Sequence, residues 1–274
     1  MNLRLRSVLN SDKISSALDQ TWRRILQPFS FALFGLGALA LGAIAFPLMW
    51  MLPVSAARKT GWIQKVIHYS FRFFLGFLEI FKGMEFRFEG VELLRSGGGV
   101  IIANHPTLLD VVLLVSRLPQ ADCIVKKELW NNFFLRLIVE WSGYIPNDDG
   151  PELAQKAMER VRQGRKVIIF PEGTRSLPES LRPFTKGFAH IAVRSGCFLW
   201  PVVITCHPST LTKDRSVFSV PVRRPRLQAR AGESLDPAAY FDATDSASIA
   251  ARKVTAAMQR YFEEKVDYAG FGKT

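Results

Sequence analysis

The chain has 274 residues, 48% of them hydrophobic and 22% charged, with a formal net charge of +12. That length allows one catalytic domain and an appendage; the charge calls for an anionic partner, a lipid surface, nucleic acid or an acidic substrate or carrier. The three cysteines, Cys123, Cys197 and Cys206, stand in apolar surroundings with no metal-like spacing, which argues against a zinc site and for reduced core residues.

From Phe29 to Leu52 there is no charged residue. As a helix this stretch runs about 36 Å, enough to cross the hydrocarbon core of a bilayer. It is too long, starts too late and lacks the small-residue cleavage site of a signal peptide. Basic residues flank it on both sides, Arg4, Arg6, Lys13, Arg23 and Arg24 before, Arg58, Lys59 and Lys65 after. Both flanks being basic fits a helix pair that enters and leaves the same leaflet. Gly35, Gly37 and Gly42 would allow close helix packing, and Pro47 and Pro53 would interrupt the helix. The next segment, 62–83, is amphipathic. It puts Phe74, Phe77, Leu78 and Phe81 on one face, and Lys65, Arg72 and Lys82 can reach headgroups. The basic residues thus border apolar runs, and no nucleic-acid motif accompanies them.

After Gly83 strands and helices alternate. MEFRFEG alternates as a half-exposed strand does, SGGG at 96–99 is a turn, and VIIAN is a buried strand. A helix over TLLDVVLLVSRL, a strand over ADCIVK and a helix ending at Gly143 follow, then a helix over 151–164 bounded by Pro and Gly. KVIIF reads as a buried strand, TKGFAHIAVRSG as a helix and FLWPVVITC as a long strand. SVFSVPVRR and PRLQARAGE read as two further strands before a closing amphipathic helix from Ser246. The expectation is a mixed α/β sheet flanked by helices, residues 83–274, preceded by a membrane-associating helical hairpin, residues 1–82.

Two strands end in polar turns. The first gives His105 and, five residues on, Asp110. A carboxylate accepting from Nδ1–H would hold the imidazole in one tautomer and prepare Nε2 as a base. The spacing alone equally fits a first-turn helix Asp beside a loop His. The second turn, PEGTRS at 171–176, offers a flexible Gly173 and, in Arg175, a planar fork suited to phosphate or carboxylate. His68, His190 and His207 read as bystanders, and Ser176 has no base at a recognisable spacing.

NHPTLLD together with FPEGTRS resembles the lysophospholipid and glycerol-phosphate acyltransferases, the PlsC-like enzymes, over roughly residues 83–230. The resemblance implies a membrane-bound O-acyltransferase on the cytoplasmic face of an inner membrane. It would move an acyl group from acyl carrier protein or coenzyme A, as co-substrate, to a lysolipid hydroxyl. No cofactor and no metal are implied, and no nucleic-acid partner. His105 and Asp110 would be catalytic; Asn104, Lys126, Lys127, Glu172, Gly173, Thr174 and Arg175 would bind substrate, with oxyanion donors among the amides near His105 or Gly173. One departure stands out: in GYIPNDD, 143–149, Asp149 occupies a place where the family often has an arginine that grips phosphate. That substitution leaves open a lipid acceptor without phosphate. A thioesterase, a non-catalytic lipid-binding adaptor and a basic nucleic-acid binder are the rival readings.

Overall fold

The charge-free run around Phe29–Leu52 is helical almost throughout. In the computed structural model, which describes residues 2–126, 133–147, 151–177 and 180–266, helix α1 spans Asn2–Ala40. It passes through a π turn at Leu41–Ala45 into α2, Phe46–Trp50. Pro47 therefore does not end the helix. It sits in the first turn of α2, where its missing N–H costs nothing, and the widened π turn before it absorbs the ring. The break comes at Met51–Ser55, around Pro53.

Helix α3, Ala56–Ile80, runs back along α1. Ring contacts pair Phe29 with Phe77, Phe31 with Phe74 and Phe34 with Phe71, one number falling as the other rises, so the two helices are antiparallel. The glycines expected to permit their close approach do not all serve it: a Cβ at Gly35 or Gly37 would meet nothing within 4 Å. Phe81, expected on one helical face with Phe74, Phe77 and Leu78, lies just past the helix end at Ile80 and is 43% exposed. The segment Ser16–Trp50 is long and apolar enough to cross a membrane, and only 11% of its most apolar window is buried against protein.

The remaining elements build one seven-stranded mixed sheet in the order β1-β7-β6-β2-β5-β3-β4. The strands are β1 Glu85–Glu89, β2 Gly99–Ala103, β3 Asp122–Lys126, β4 Ile145–Asn147, β5 Lys166–Ile169, β6 Leu199–His207 and β7 Arg226–Ala231. Every neighbouring pair is parallel except β6 with β7. Strands β2 and β5 are buried along their whole length, as parallel strands covered on both faces must be. Ile101, Ala103 and Ile168 pack towards α3 and α4, Asp110–Val115, in a cluster that also contains Phe46, Ile67 and Phe74. Val100, Ile102, Val167 and Ile169 pack the other way, where the helices are α6, Pro151–Arg162, α7, Gly187–Ser195, and α8, Ala247–Lys265. Helix α5, Phe133–Trp141, lies between β3 and β4 in sequence.

The strand expected over SVFSVPVRR is absent; residues 208–225 form an irregular loop. The reason is local satisfaction of its backbone. Gln20, Arg23 and Gln27 of α1 donate to the carbonyls of Val220, Val222 and Val217, so these need no sheet partner.

A buried polar knot ties α3 to the sheet. Arg165 donates to both oxygens of Asp122 and to Gln64 Oε1, while Gln64 Nε2 donates to Asp122 and to Ser142 O. Asp122 is fully buried. Replacing Arg165 by Met strands that carboxylate, so thermal unfolding in detergent should show a loss of about 3–5 kcal/mol. An unchanged midpoint would mean the knot carries no load.

Candidate active site

The parallel register of β2 and β5 sets the site. Ile102 lies opposite Ile169, so the turns after the two strands leave the same edge of the sheet side by side. In such sheets reactive groups collect beyond the carboxyl ends of the strands.

After β2 the chain turns through Asn104–Leu109 into α4. His105 Nδ1 lies 2.7 Å from Asp110 Oδ2. The same carboxylate accepts from Thr107 N at 2.7 Å, and its other oxygen accepts from Thr107 Oγ1 at 2.6 Å. Asp110 is wholly buried and the His105 side chain is 18% exposed, so the acid is fixed and the ring reaches open space. The ring also leans on Phe170, centroid to centroid 4.4 Å. The sequence reading overlooked Thr107. Its signal was present in Thr-x-x-Asp, the pattern in which an acid reaches back to an N–H at a helix start.

Asn104 and Glu172, expected to touch substrate, do not line the cavity; both are buried and bond to protein. Asn104 donates to Ile204 O and accepts from Ile204 N, which locks the end of β2 to β6. Glu172 welds the two turns together. Its Oε1 accepts from His105 N at 3.0 Å and Ser176 Oγ at 2.6 Å, and its Oε2 accepts from Arg182 N at 2.9 Å. Ser176 N in turn donates to His105 O. Burial pushes the Glu172 carboxyl above its ordinary value against the pull of these donors.

Gly173 adopts φ +67°, the left-handed region glycine favours, and its N–H closes the turn on Phe170 O. Of the amides in the two turns where oxyanion donors were expected, those of His105 and Gly173 are committed. Those of Thr174 and Arg175 bond to none of the described residues. Arg175 Nη1 donates to Leu211 O and Thr212 O, both at 2.9 Å.

These turns open into a cavity of about 1660 Å³. The volume exceeds the roughly 300–1,000 Å³ of a small-ligand pocket, so it has room for more than one small molecule. Its walls are apolar residues of α1, the π turn and α3, such as Phe34, Leu41 and Phe74, with Val125 of β3 and Phe170 just past β5. His105, Gly173, Thr174 and Arg175 line it, as do Lys126 from the end of β3, Lys213 and His190. Lys127 and Asp149 lie outside the described residues. His68 points elsewhere, its Nδ1 on Val115 O at 2.8 Å. Burial pushes the thiols of Cys123 and Cys206 up to about 12, so neither is a thiolate nucleophile. Among the described residues no group of His, Cys, Asp or Glu is arranged to hold a metal.

A family model described as Acyltransferase matches residues 85–205, the span that contains both turns. Over that span the chain is similar to the acyltransferase family. The chain is 34% identical over 124 residues to a 1-acyl-sn-glycerol-3-phosphate acyltransferase of Cocos nucifera, 43% of this chain and 40% of that one. It is 31% identical over 154 residues to the human 1-acyl-sn-glycerol-3-phosphate acyltransferase beta, 53% and 55% of the two chains. The aligned stretches thus span about half the length of these curated relatives. The crystal structure of the 1-acyl-sn-glycerophosphate (LPA) acyltransferase PlsC from Thermotoga maritima superposes with a TM-score of 0.68 over 89% of this chain and 97% of that one. At 20% identity, that likeness establishes a shared fold.

Glu172→Gln should test the weld between the turns. It would set an amide N–H₂ against either the Arg182 or the His105 N–H, losing about 1–3 kcal/mol of stability and lowering turnover with it. Thermal unfolding and rate measured on the same sample check this, and a variant as stable and as fast as wild type refutes it.

Proposed function

We propose that the chain is a membrane-seated O-acyltransferase that moves a fatty acyl group from a thioester, on acyl carrier protein or coenzyme A, to the hydroxyl of a phosphate-bearing lysolipid. The observation that carries this reading is the buried Asp110 holding His105 at the mouth of an apolar cavity edged by cations.

The chemistry follows from the atoms. With Nδ1–H held by Asp110, Nε2 is the free basic nitrogen. It takes the proton of the acceptor hydroxyl as that oxygen attacks the thioester carbonyl carbon. Asp110 then stabilises the imidazolium. The tetrahedral oxyanion would take hydrogen bonds from the amides of Thr174 and Arg175. Collapse breaks the carbon–sulfur bond, and the thiolate leaves with the proton from His105. Neither a covalent acyl-enzyme nor a metal is needed for this sequence.

Lys126, Arg175 and Lys213, all on the cavity, offer a place for the acceptor's phosphate whatever residue 149 contributes. The relatives' names, 1-acyl-sn-glycerol-3-phosphate acyltransferases, favour the same acceptor. In this reading residues 1–82 seat the chain in the membrane and 83–274 perform the transfer. The apolar wall from α1 and α3 sheathes the acyl chain. A sheet on the cytoplasmic side is in keeping with the basic flanks.

His105→Ala should cut acyl transfer by about 10²–10⁴-fold, and Asp110→Asn should lower kcat without a matching rise in KM. Product analysis with acyl thioester and lysophosphatidic acid reads both. Near wild-type transfer by His105→Ala would overturn the assignment of the base, and thioester hydrolysis unaffected by acceptor would mean a thioesterase. Lys126→Gln should raise KM for a phosphate-bearing acceptor by about tenfold or more, and leave that for a phosphate-free acceptor unchanged. Equal effects on both acceptors would refute the phosphate site.

A further inference from the structure

We propose that the loop 208–225 is a second membrane contact, one that reads anionic lipid headgroups and braces Arg175; the idea rests on the membrane seat proposed above. Three observations converge on it.

The first is depth. Gln20, Arg23 and Gln27 hold this loop against α1. Those residues bracket the place where charge gives way to apolar sequence: after Arg23 and Arg24 no charged residue follows until Arg58. A helix that changes character there meets the headgroups at that level, and so does whatever is strapped alongside.

The second is surface chemistry. Phe218 is 67% exposed and Val222 53%. Single exposed apolar residues are ordinary on a protein surface. These two stand among the exposed cations Lys213, Arg215 and Arg223, with Asp214 the one acid on the same loop. An apolar wedge inside a cationic collar suits the interface of an anionic leaflet, where the ring enters the acyl boundary and the guanidinium groups meet phosphate.

The third is a mechanical link. Leu211 O accepts from Arg175 Nη1 at 2.9 Å and from Leu108 N at 3.1 Å, so one carbonyl of this loop holds both motif turns. Leu211 itself sits at φ +54°, a left-handed conformation that a non-glycine residue rarely adopts, and it is buried. Seating the loop on lipid therefore steadies Arg175 in the cavity, and a loop lifted off the surface frees it.

The test uses the full chain in vesicles of phosphatidylcholine alone or with about one-third phosphatidylglycerol. A polarity-sensitive dye is placed on Ser219→Cys in a Cys197→Ser background, which leaves the two buried cysteines in place. The expected result is a blue shift and protection from an aqueous quencher in the anionic vesicles. Arg215→Gln combined with Arg223→Gln should abolish both effects, each arginine changing the weight of the seated state about fivefold. The double variant should keep wild-type acyl transfer in neutral vesicles and lose the gain that anionic lipid gives wild type. Equal quencher access in both vesicle types, with the chain floating on lipid, would overturn the proposal, as would a double variant that still buries the dye. Failure of the chain to float at all would overturn the membrane seat together with this contact. The dye needs no turnover, so an absence of acyl transfer would sink the proposed activity and leave the dye result to decide the loop.

Discussion

The parallel pairing of β2 with β5 is the constraint on which the rest depends. It makes two distant stretches of sequence emerge at one sheet edge, and Glu172 then fastens the second turn to the backbone of the first. That fastening is costly in isolation, since a buried carboxyl resists ionisation. Three donors converge on it, and the two turns become one rigid body. His105 and Arg175 keep their separation because neither turn can shift alone.

A second hierarchy operates within the first turn. Asp110 is held by the Thr107 N–H and hydroxyl before it ever meets the imidazole, and it stands at the start of α4 where a negative charge is favoured. The ring is thus oriented by an acid that is itself oriented. Precision in such sites comes from supporting bonds as much as from the reacting group.

Much of this was legible in the chain itself. Strands rich in Val and Ile, bounded by Gly or Pro, announced β2, β5 and β6, and the His105–Asp110 spacing pointed to the pair that the fold brings into contact. Asn104 and Glu172 bond to protein groups, and a polar residue in a motif looks the same whether it faces substrate or backbone. Only the register of β2 with β6 reveals that Ile204 consumes the Asn104 amide. The loop at 208–225 misled. Its Val and Phe residues carry strand propensity, yet side chains from almost two hundred residues earlier satisfy its carbonyls, and no local pattern encodes that. Strand β4, three residues long, is too short to leave a periodic signal.

The cavity draws one wall from α1 and another from the sheet edge, and the buried cluster beneath it runs without a seam from Phe46 and Phe74 to Ile101. On the proposed function, the N-terminal helices are therefore masonry of the reaction chamber as well as its mooring. A fragment lacking residues 1–82 would keep the imidazole and the guanidinium but hold them over an open ledge, with water where, in the proposed reading, the hydrocarbon tail belongs. If the helices seat the chain as proposed, anchorage and enclosure are one feature, and solubility cannot be engineered by amputation without unroofing the chemistry.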